Sequence, residues 1–125
     1  MLNELQRFSQ RDAAGQDKWE SFTPTFTSLT VVGATSYSGK YRKVGRAVEF
    51  QVQFSAATSI ASTAGTTYMT LPITAKGLSG FGIMTNKTAN TSVGNCHIDT
   101  TNSRCYLPTQ GASGNTFTIF GSYEG

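Results

Sequence analysis

Ala47-Val48-Glu49-Phe50-Gln51-Val52-Gln53-Phe54 decides the fold class. Val48, Phe50, Val52 and Phe54 fall on one side of an extended chain, and Ala47, Glu49, Gln51 and Gln53 fall on the other. A period of two over eight residues marks a strand with one face in a core and one in water. Working outward, Tyr37 to Val44 reads as a strand ended by Gly45. Phe22 to Thr27 and Leu29 to Val32 read as a strand interrupted or begun near Pro24, a residue that belongs at an edge or a strand start. Thr66 to Ile73 turns Met69, Leu71 and Ile73 inward, and its Pro72 again indicates an edge. Gly80 to Asn86, Ser92 to Asp99, Ser103 to Leu107 and Thr116 to Tyr123 bring the total to about eight short antiparallel strands, the mark of a sandwich or barrel. Ser55 to Gly65 and Thr109 to Asn115 read as small polar loops.

Composition agrees with this class and excludes others. In 125 residues there are nineteen Thr and thirteen Ser, while charged residues make up only 14%. Soluble domains approach about 25% charged. The chain therefore lacks the charge of a disordered tail, and it contains no apolar run long enough to cross a membrane. The net charge of +3 is local: Lys40, Arg42, Lys43 and Arg46 supply +4 within seven residues. This patch suits an acidic partner, and one short cluster falls short of the spread basic face that nucleic acid requires. From Phe50 to Ile98 the only charges are Lys76 and Lys87. Removing hydroxyls from water costs far less than removing charges, so such a surface is cheap to bury against a neighbour.

Residues 1–20 form a separate arm before a β domain spanning 21–125. Leu2, Leu5 and Phe8 recur every three residues, and Asn3 with Gln6 resembles a capping box. A short amphipathic helix from about Asn3 to Ala14, stopped by Gly15, is expected. A helix of about a dozen residues is marginal alone, so it needs its own β domain or another subunit to lie against. Glu4, Arg7, Arg11 and Asp12 stand where a secretory signal would need an apolar core, so synthesis in the cytoplasm is expected.

No constellation for catalysis is found. His97 is the only histidine and neighbours Cys96 on one strand, so the two side chains point to opposite faces and His97 is expected outside. If Asp99 pairs with Asn102 in a hairpin, Cys96 and Cys105 stand directly opposite. Their Cβ atoms would then lie about 4.5 to 5.5 Å apart, too far for an unstrained disulfide. That favours two reduced, buried thiols. The carboxylates Glu4, Asp12, Asp17, Glu20, Glu49, Asp99 and Glu124 are not spaced as a hydrolytic or metal-binding pair. Glycines 77 to 82 lack the lysine and following helix of a phosphate loop. No enzyme activity, metal or other cofactor is expected.

Trp19-Glu20-Ser21-Phe22-Thr23-Pro24-Thr25-Phe26, followed by Tyr37-Ser38-Gly39-Lys40-Tyr41-Arg42-Lys43-Val44-Gly45-Arg46-Ala47-Val48-Glu49-Phe50 and later by Tyr68-Met69-Thr70-Leu71-Pro72, resembles small β modules of tailed bacteriophages. The resemblance covers about residues 19 to 73. It implies a jelly-roll β-sandwich and a virion component, either on the capsid or at the tip of a tail fibre. Because the chain is almost all β module, a capsid cement or decoration protein is the leading expectation. Its partners would be the major capsid protein and copies of itself, as a homodimer or homotrimer, with no nucleic acid and no membrane. Leu2, Leu5, Phe8 and Trp19 would be the arm's anchors on the shell, since aliphatic and aromatic anchors dominate interfaces; Trp19 packing on its own domain is the alternative. In a tail-fibre tip recognising host glycan, Tyr37, Tyr106 and Tyr123 would be the contact residues.

Overall fold

The computed structural model describes residues 18–78, 80–113 and 115–125. The described residues form twelve strands and no helix: β1 Glu20–Phe22, β2 Phe26–Thr27, β3 Thr30–Val32, β4 Thr35–Val44, β5 Ala47–Ala56, β6 Ser59–Ser62, β7 Tyr68–Thr70, β8 Gly80–Asn86, β9 Thr91–Asp99, β10 Arg104–Tyr106, β11 Gln110–Ser113 and β12 Thr116–Glu124. Nine of them make one antiparallel sheet in the order β1-β4-β5-β12-β8-β9-β10-β7-β2, and β11-β6-β3 make a second. The anticipated helix and its anchors Leu2, Leu5 and Phe8 lie outside the described residues.

The chain itself dictates the curvature of the large sheet. β1 and β2 occupy its opposite edges, yet Phe22 ends one and Phe26 begins the other. Four residue steps reach at most roughly 14 Å, whereas nine flat strands would hold their edges about 38 Å apart. The sheet must curl into a half-barrel, with Thr23, Pro24 and Thr25 crossing the opening. Ring contacts record the closure: Phe26 on the far edge lies 4.8 Å from Phe54 and 5.6 Å from Tyr37.

The core fills the inside of this curl. Val48, Phe50, Val52 and Phe54 of β5 are buried, as their alternation anticipates, together with Met84, Cys96, Ile98, Cys105, Phe117 and Ile119. The β4–β5 hairpin turns on Gly45 and Arg46, with Val44 opposite Ala47. Two-residue hairpin turns need a positive φ, which Gly45 supplies at +62°. At the centre of the sheet a Cβ on Gly121 would lie 2.5 Å from the Phe50 ring and 2.6 Å from the Phe81 carbonyl oxygen. Glycine there lets the Phe50 ring lie flat on β12.

Several expectations require correction. The interruption read near Pro24 is a full division, with Phe22 and Phe26 on opposite edges of the sheet. Ser55–Gly65 and Thr109–Asn115 are not plain loops, since they carry β6 and β11 of the second sheet. Ile60, the lone large apolar side chain of that first segment, is buried and fixes β6 on the core. Ser62 adds a hydroxyl donated to the Pro108 carbonyl at 2.6 Å. The strand expected over Thr66–Ile73 is only Tyr68–Thr70, between β10 and β2. Pro72 therefore marks the end of pairing and no sheet edge. Cys96 and Cys105 are not directly opposed, because Asp99 pairs with Arg104, Cys105 with Ile98, and Cys96 with Gly82. The turn is two residues longer than expected. The Asp99 carboxylate accepts the Thr101 and Asn102 backbone N–H groups at 3.0 and 3.3 Å and the Asn102 side-chain amide at 3.0 Å. Ser103 closes the loop at φ 55°. Both cysteines are free and buried.

Candidate functional site

With the inside of the curl filled, the outer face of the large sheet is where side chains are free to meet another molecule. One transverse row on this face runs through directly paired residues: Arg42 opposite Glu49, Glu49 opposite Ser122, and Ser122 opposite Phe81. Trp19 precedes the pair Glu20 and Tyr41, which brings it beside Arg42. Its half-buried indole lies 4.8 Å from the Arg42 guanidinium and 5.3 Å from the Lys40 ammonium, within cation–π reach. Trp19 thus packs on its own domain.

The four cations read from sequence as one patch are divided. Lys40 and Arg42 stand on the outer face, Lys43 is on the opposite side of β4, and Arg46 sits in the hairpin turn. Arg42 Nη2 donates to Glu49 Oε2 at 3.2 Å, with both side chains about 30% exposed. Arg46 Nη1 lies 3.7 Å from Glu124 Oε1. Two of the four charges are therefore matched within the chain. On the inner side of β4, the Tyr41 hydroxyl donates to Glu20 Oε2 at 2.9 Å, and that hydrogen bond raises its pKa.

The middle of the face carries an apolar ridge that alternation alone does not announce. Phe81, Ile83 and Phe120 are 53%, 43% and 41% exposed. Phe120 stands opposite Ile83, and Phe81 shares their side of β8. Two open grooves flank it. One, of about 580 Å³, is lined by Ser38, Lys40, Gln51, Gln53, Thr118 and Phe120. The other, of about 600 Å³, lies at the hairpin end among Arg46, Ala47, Phe81, Ser122 and Glu124. The first contains hydroxyls, amides and one lysine but no carboxylate.

Beyond β8 an aromatic cluster stands on the same surface. The Tyr68 and Tyr106 rings lie 5.3 Å apart, and His97 is 6.4 Å from Tyr106. Arg104 stacks over Tyr68 at 4.2 Å and donates Nη1–H to the Tyr106 hydroxyl at 3.2 Å. His97 is exposed, as its alternation with Cys96 requires. Of the three tyrosines considered for ligand contact, only Tyr106 is on this face. Tyr37 turns inward against Phe26. Tyr123 is buried, its hydroxyl donating to the Ile73 carbonyl at 2.6 Å and accepting from the Ile73 N–H at 3.0 Å.

The residues missed from sequence are Phe81, Ile83 and Phe120, together with Tyr68 and Arg104. A signal for the first three was present as broken alternation: β8 is apolar at both parities, and in β12 Phe120 stands outward beside an inward Gly121. The cluster of Tyr68 and Arg104 had none, because β7 and β10 pair across more than thirty residues of sequence. Among the described residues no three His, Cys, Asp or Glu side chains could hold a metal ion, and no helix is long and apolar enough to cross a membrane. Comparison with known protein families, with curated proteins and with solved structures gave no match for this chain.

Proposed function

We propose that this chain is a structural protein of a tailed-bacteriophage virion, a jelly-roll capsid cement or decoration protein that bridges neighbouring capsid subunits. The observation that carries the reading is the electrostatic state of the outer face. Arg42 is matched by Glu49 and Arg46 by Glu124, and the groove between is lined by amides and hydroxyls such as Gln51, Gln53 and Thr118, with Lys40 its single charge. A partner covering this surface meets little unpaired charge, so desolvation costs it little. Many weak copies on a shell then add up through multivalency and stabilise the particle by mass action. Gln51→Lys with Thr118→Lys adds two ammonium groups to a groove that already holds Lys40 and has no carboxylate to match them, while leaving the core untouched. The double variant is expected to melt like the parent and to lose binding to particles. Particles without the protein are expected to lose heat resistance. Undiminished binding, or equal heat resistance with and without the protein, refutes the reading.

A second reading, a tail-fibre tip recognising host glycan, is favoured by the half-buried Tyr68 and Tyr106 rings and the exposed His97 ring, braced by Arg104. Low copy number at the tail and binding of the isolated protein to host cells, lost in Tyr106→Ala, would select it over the first.

A further inference from the structure

The Arg104 guanidinium is a charge held in place with no acidic partner. Strand pairing sets Tyr106 opposite both Tyr68 and His97, with Arg104 two residues back on the same side of β10. Arg104 leans along its strand: the guanidinium lies 4.2 Å from the Tyr68 ring, and Nη1–H is donated to the Tyr106 hydroxyl at 3.2 Å. Among the described residues the ion pairs are Arg42–Glu49 and Arg46–Glu124, so no carboxylate lies within 4.0 Å of Arg104. Asp99, its cross-strand neighbour, is engaged elsewhere, both of its oxygens accepting from Thr101 and Asn102 in the β9–β10 turn.

The direction of that hydrogen bond decides what the pair can do. A guanidinium only donates, and a phenol that accepts from it keeps its own O–H to give. Among the described residues the Tyr106 O–H has no acceptor, and Nη1–H to Tyr106 is the one hydrogen bond of the guanidinium. Two donor groups, one of them charged, therefore stand side by side and call for a single acceptor group. A carboxylate answers both, one oxygen taking an Arg104 N–H and the other the Tyr106 O–H, and charge-assisted bonds of this kind are about twice as strong as neutral ones. Stacking on Tyr68 fixes the guanidinium before any ligand arrives, which lowers the cost of ordering it.

The surroundings select the rest of the ligand. The exposed His97 ring lies 6.4 Å from Tyr106. Such rings offer an apolar surface to C–H groups. His97 and the exposed Asn95, two residues back on the same side of β9, add groups that bond hydroxyls. A ligand with a C–H-rich ring, hydroxyls at its rim and a carboxylate uses every one of these features, whereas a simple anion uses only Arg104 and Tyr106. We infer that Arg104 and Tyr106 bind the carboxylate of an acidic saccharide, such as a uronic acid, whose ring lies over Tyr106 and His97. The inference rests on the glycan reading above and deepens it by naming the class of sugar.

The test titrates the ¹⁵N-labelled full chain, at constant pH and ionic strength, with sodium glucuronate and in parallel with glucose and sodium acetate. Glucuronate is expected to shift the Arg104 Nε–H signal and the Tyr106 and His97 amide signals saturably, with a dissociation constant on the order of 1 mM for so small a ligand. Glucose and acetate, each carrying part of the recognised chemistry, should bind about tenfold more weakly or worse. Arg104→Lys keeps the charge and loses the fork, and Tyr106→Phe keeps the ring and loses the donor; each should weaken glucuronate about tenfold while amide signals elsewhere stay in place. No saturable shift from glucuronate, or undiminished binding in both variants, overturns the inference. Glucose equal to glucuronate also overturns it and leaves a neutral-glycan reading standing, and acetate equal to glucuronate reduces the site to an adventitious ion only. Host-cell binding that survives Arg104→Lys and Tyr106→Phe would keep the glycan reading and reject this site.

Discussion

Removing one oxygen from Tyr123 tests how the barrel is closed. Its phenol is 3% exposed, and its hydroxyl makes two hydrogen bonds to the backbone of Ile73, in the irregular stretch after β7. Two neighbouring contacts hold the same stretch, Ala75 N–H to Ser103 Oγ at 2.9 Å and Lys76 N–H to the Glu124 carbonyl at 2.8 Å. Tyr123→Phe keeps the ring and leaves the Ile73 N–H and C=O unmatched. A net hydrogen bond is worth about 1 kcal/mol, and a fully buried orphan costs about 1 to 3 kcal/mol. Ile73 is half-buried, so water recovers part of the loss. The expected destabilisation is about 2 kcal/mol, or about 8 °C in Tm for a chain of this length.

The same hydroxyl gives an independent signature in alkali. Burial pushes the Tyr123 pKa from 10.0 up to about 12, against an opposing pull from its hydrogen bond to Ile73. A pKa raised on folding adds stability that is complete below the unfolded value and disappears as pH climbs to the folded one. For Tyr123 the window is pH 10 to about 12, and the linkage is worth roughly 2 to 3 kcal/mol. Urea titrations of parent and Tyr123→Phe at pH 8, 10, 11 and 12 read both effects. The parent is expected to lose its advantage across that window. Tyr41, also raised, is common to both proteins and cancels in the difference. A variant within about 0.5 kcal/mol of the parent at pH 8, with parallel curves above pH 10, would refute the reasoning.

Three further outcomes follow. Gly121→Ala drives a methyl group into the Phe50 ring and the Phe81 carbonyl, and the backbone contact at 2.6 Å cannot yield as a side chain does; a loss of about 3 kcal/mol in chemical denaturation is expected. Asp99→Ala removes the acceptor of three hydrogen bonds in the β9–β10 turn and should lower Tm. Those bonds, led by the one from the Asn102 side chain, hold the Asp99 pKa below 3.8. Its stabilisation is therefore present above the unfolded pKa and lost as pH falls through the folded one, so parent and variant should converge in acid melts. Cys96 and Cys105 should resist a disulfide reagent in the native protein and react fully in denaturant. Their mutual hydrogen bond and then burial hold the Cys105 thiol well above its usual pKa of 9.0.

Local chemistry explains what could be read in advance. β5 was legible because every second side chain is large and apolar, and the turn after β4 because a two-residue hairpin needs glycine. The sides taken by Cys96 and His97 followed from parity alone. Quantities set by distant pairing did not follow. The β9–β10 register depended on how the Asp99 carboxylate gathers the turn, which a short-loop assumption places two residues off. β6 and β11 look like polar loops because each contributes little to the core, and they become strands by pairing with one another across some fifty residues. The division at Pro24 was visible as an interruption. Its consequence, one half on each edge of a curled sheet, required the order of all nine strands. The basic cluster was legible as composition and misleading as a surface, since alternation and two acidic partners divide it.

Phe120 shows why the outer face, and not the core, is where function is to be sought. The inward positions of β12 are Phe117, Ile119, Gly121 and Tyr123, and they account for its packing. An outward Thr at 120 would continue the row begun by Thr116 and Thr118, with a stability change expected within about 0.5 kcal/mol. Folding of residues 18–125 therefore gives no reason for a phenyl ring 41% open to water beside Ile83 and Phe81. Single exposed apolar side chains are ordinary, whereas a contiguous group ringed by polar residues marks a contact. Such a contact is either intramolecular or with another molecule, and the two have opposite signatures. An intramolecular cover is independent of protein concentration, while an intermolecular one is not. Dilution of the full chain over three decades, followed by the environment of Phe81 and Phe120, is thus the measurement on which the role of this face turns.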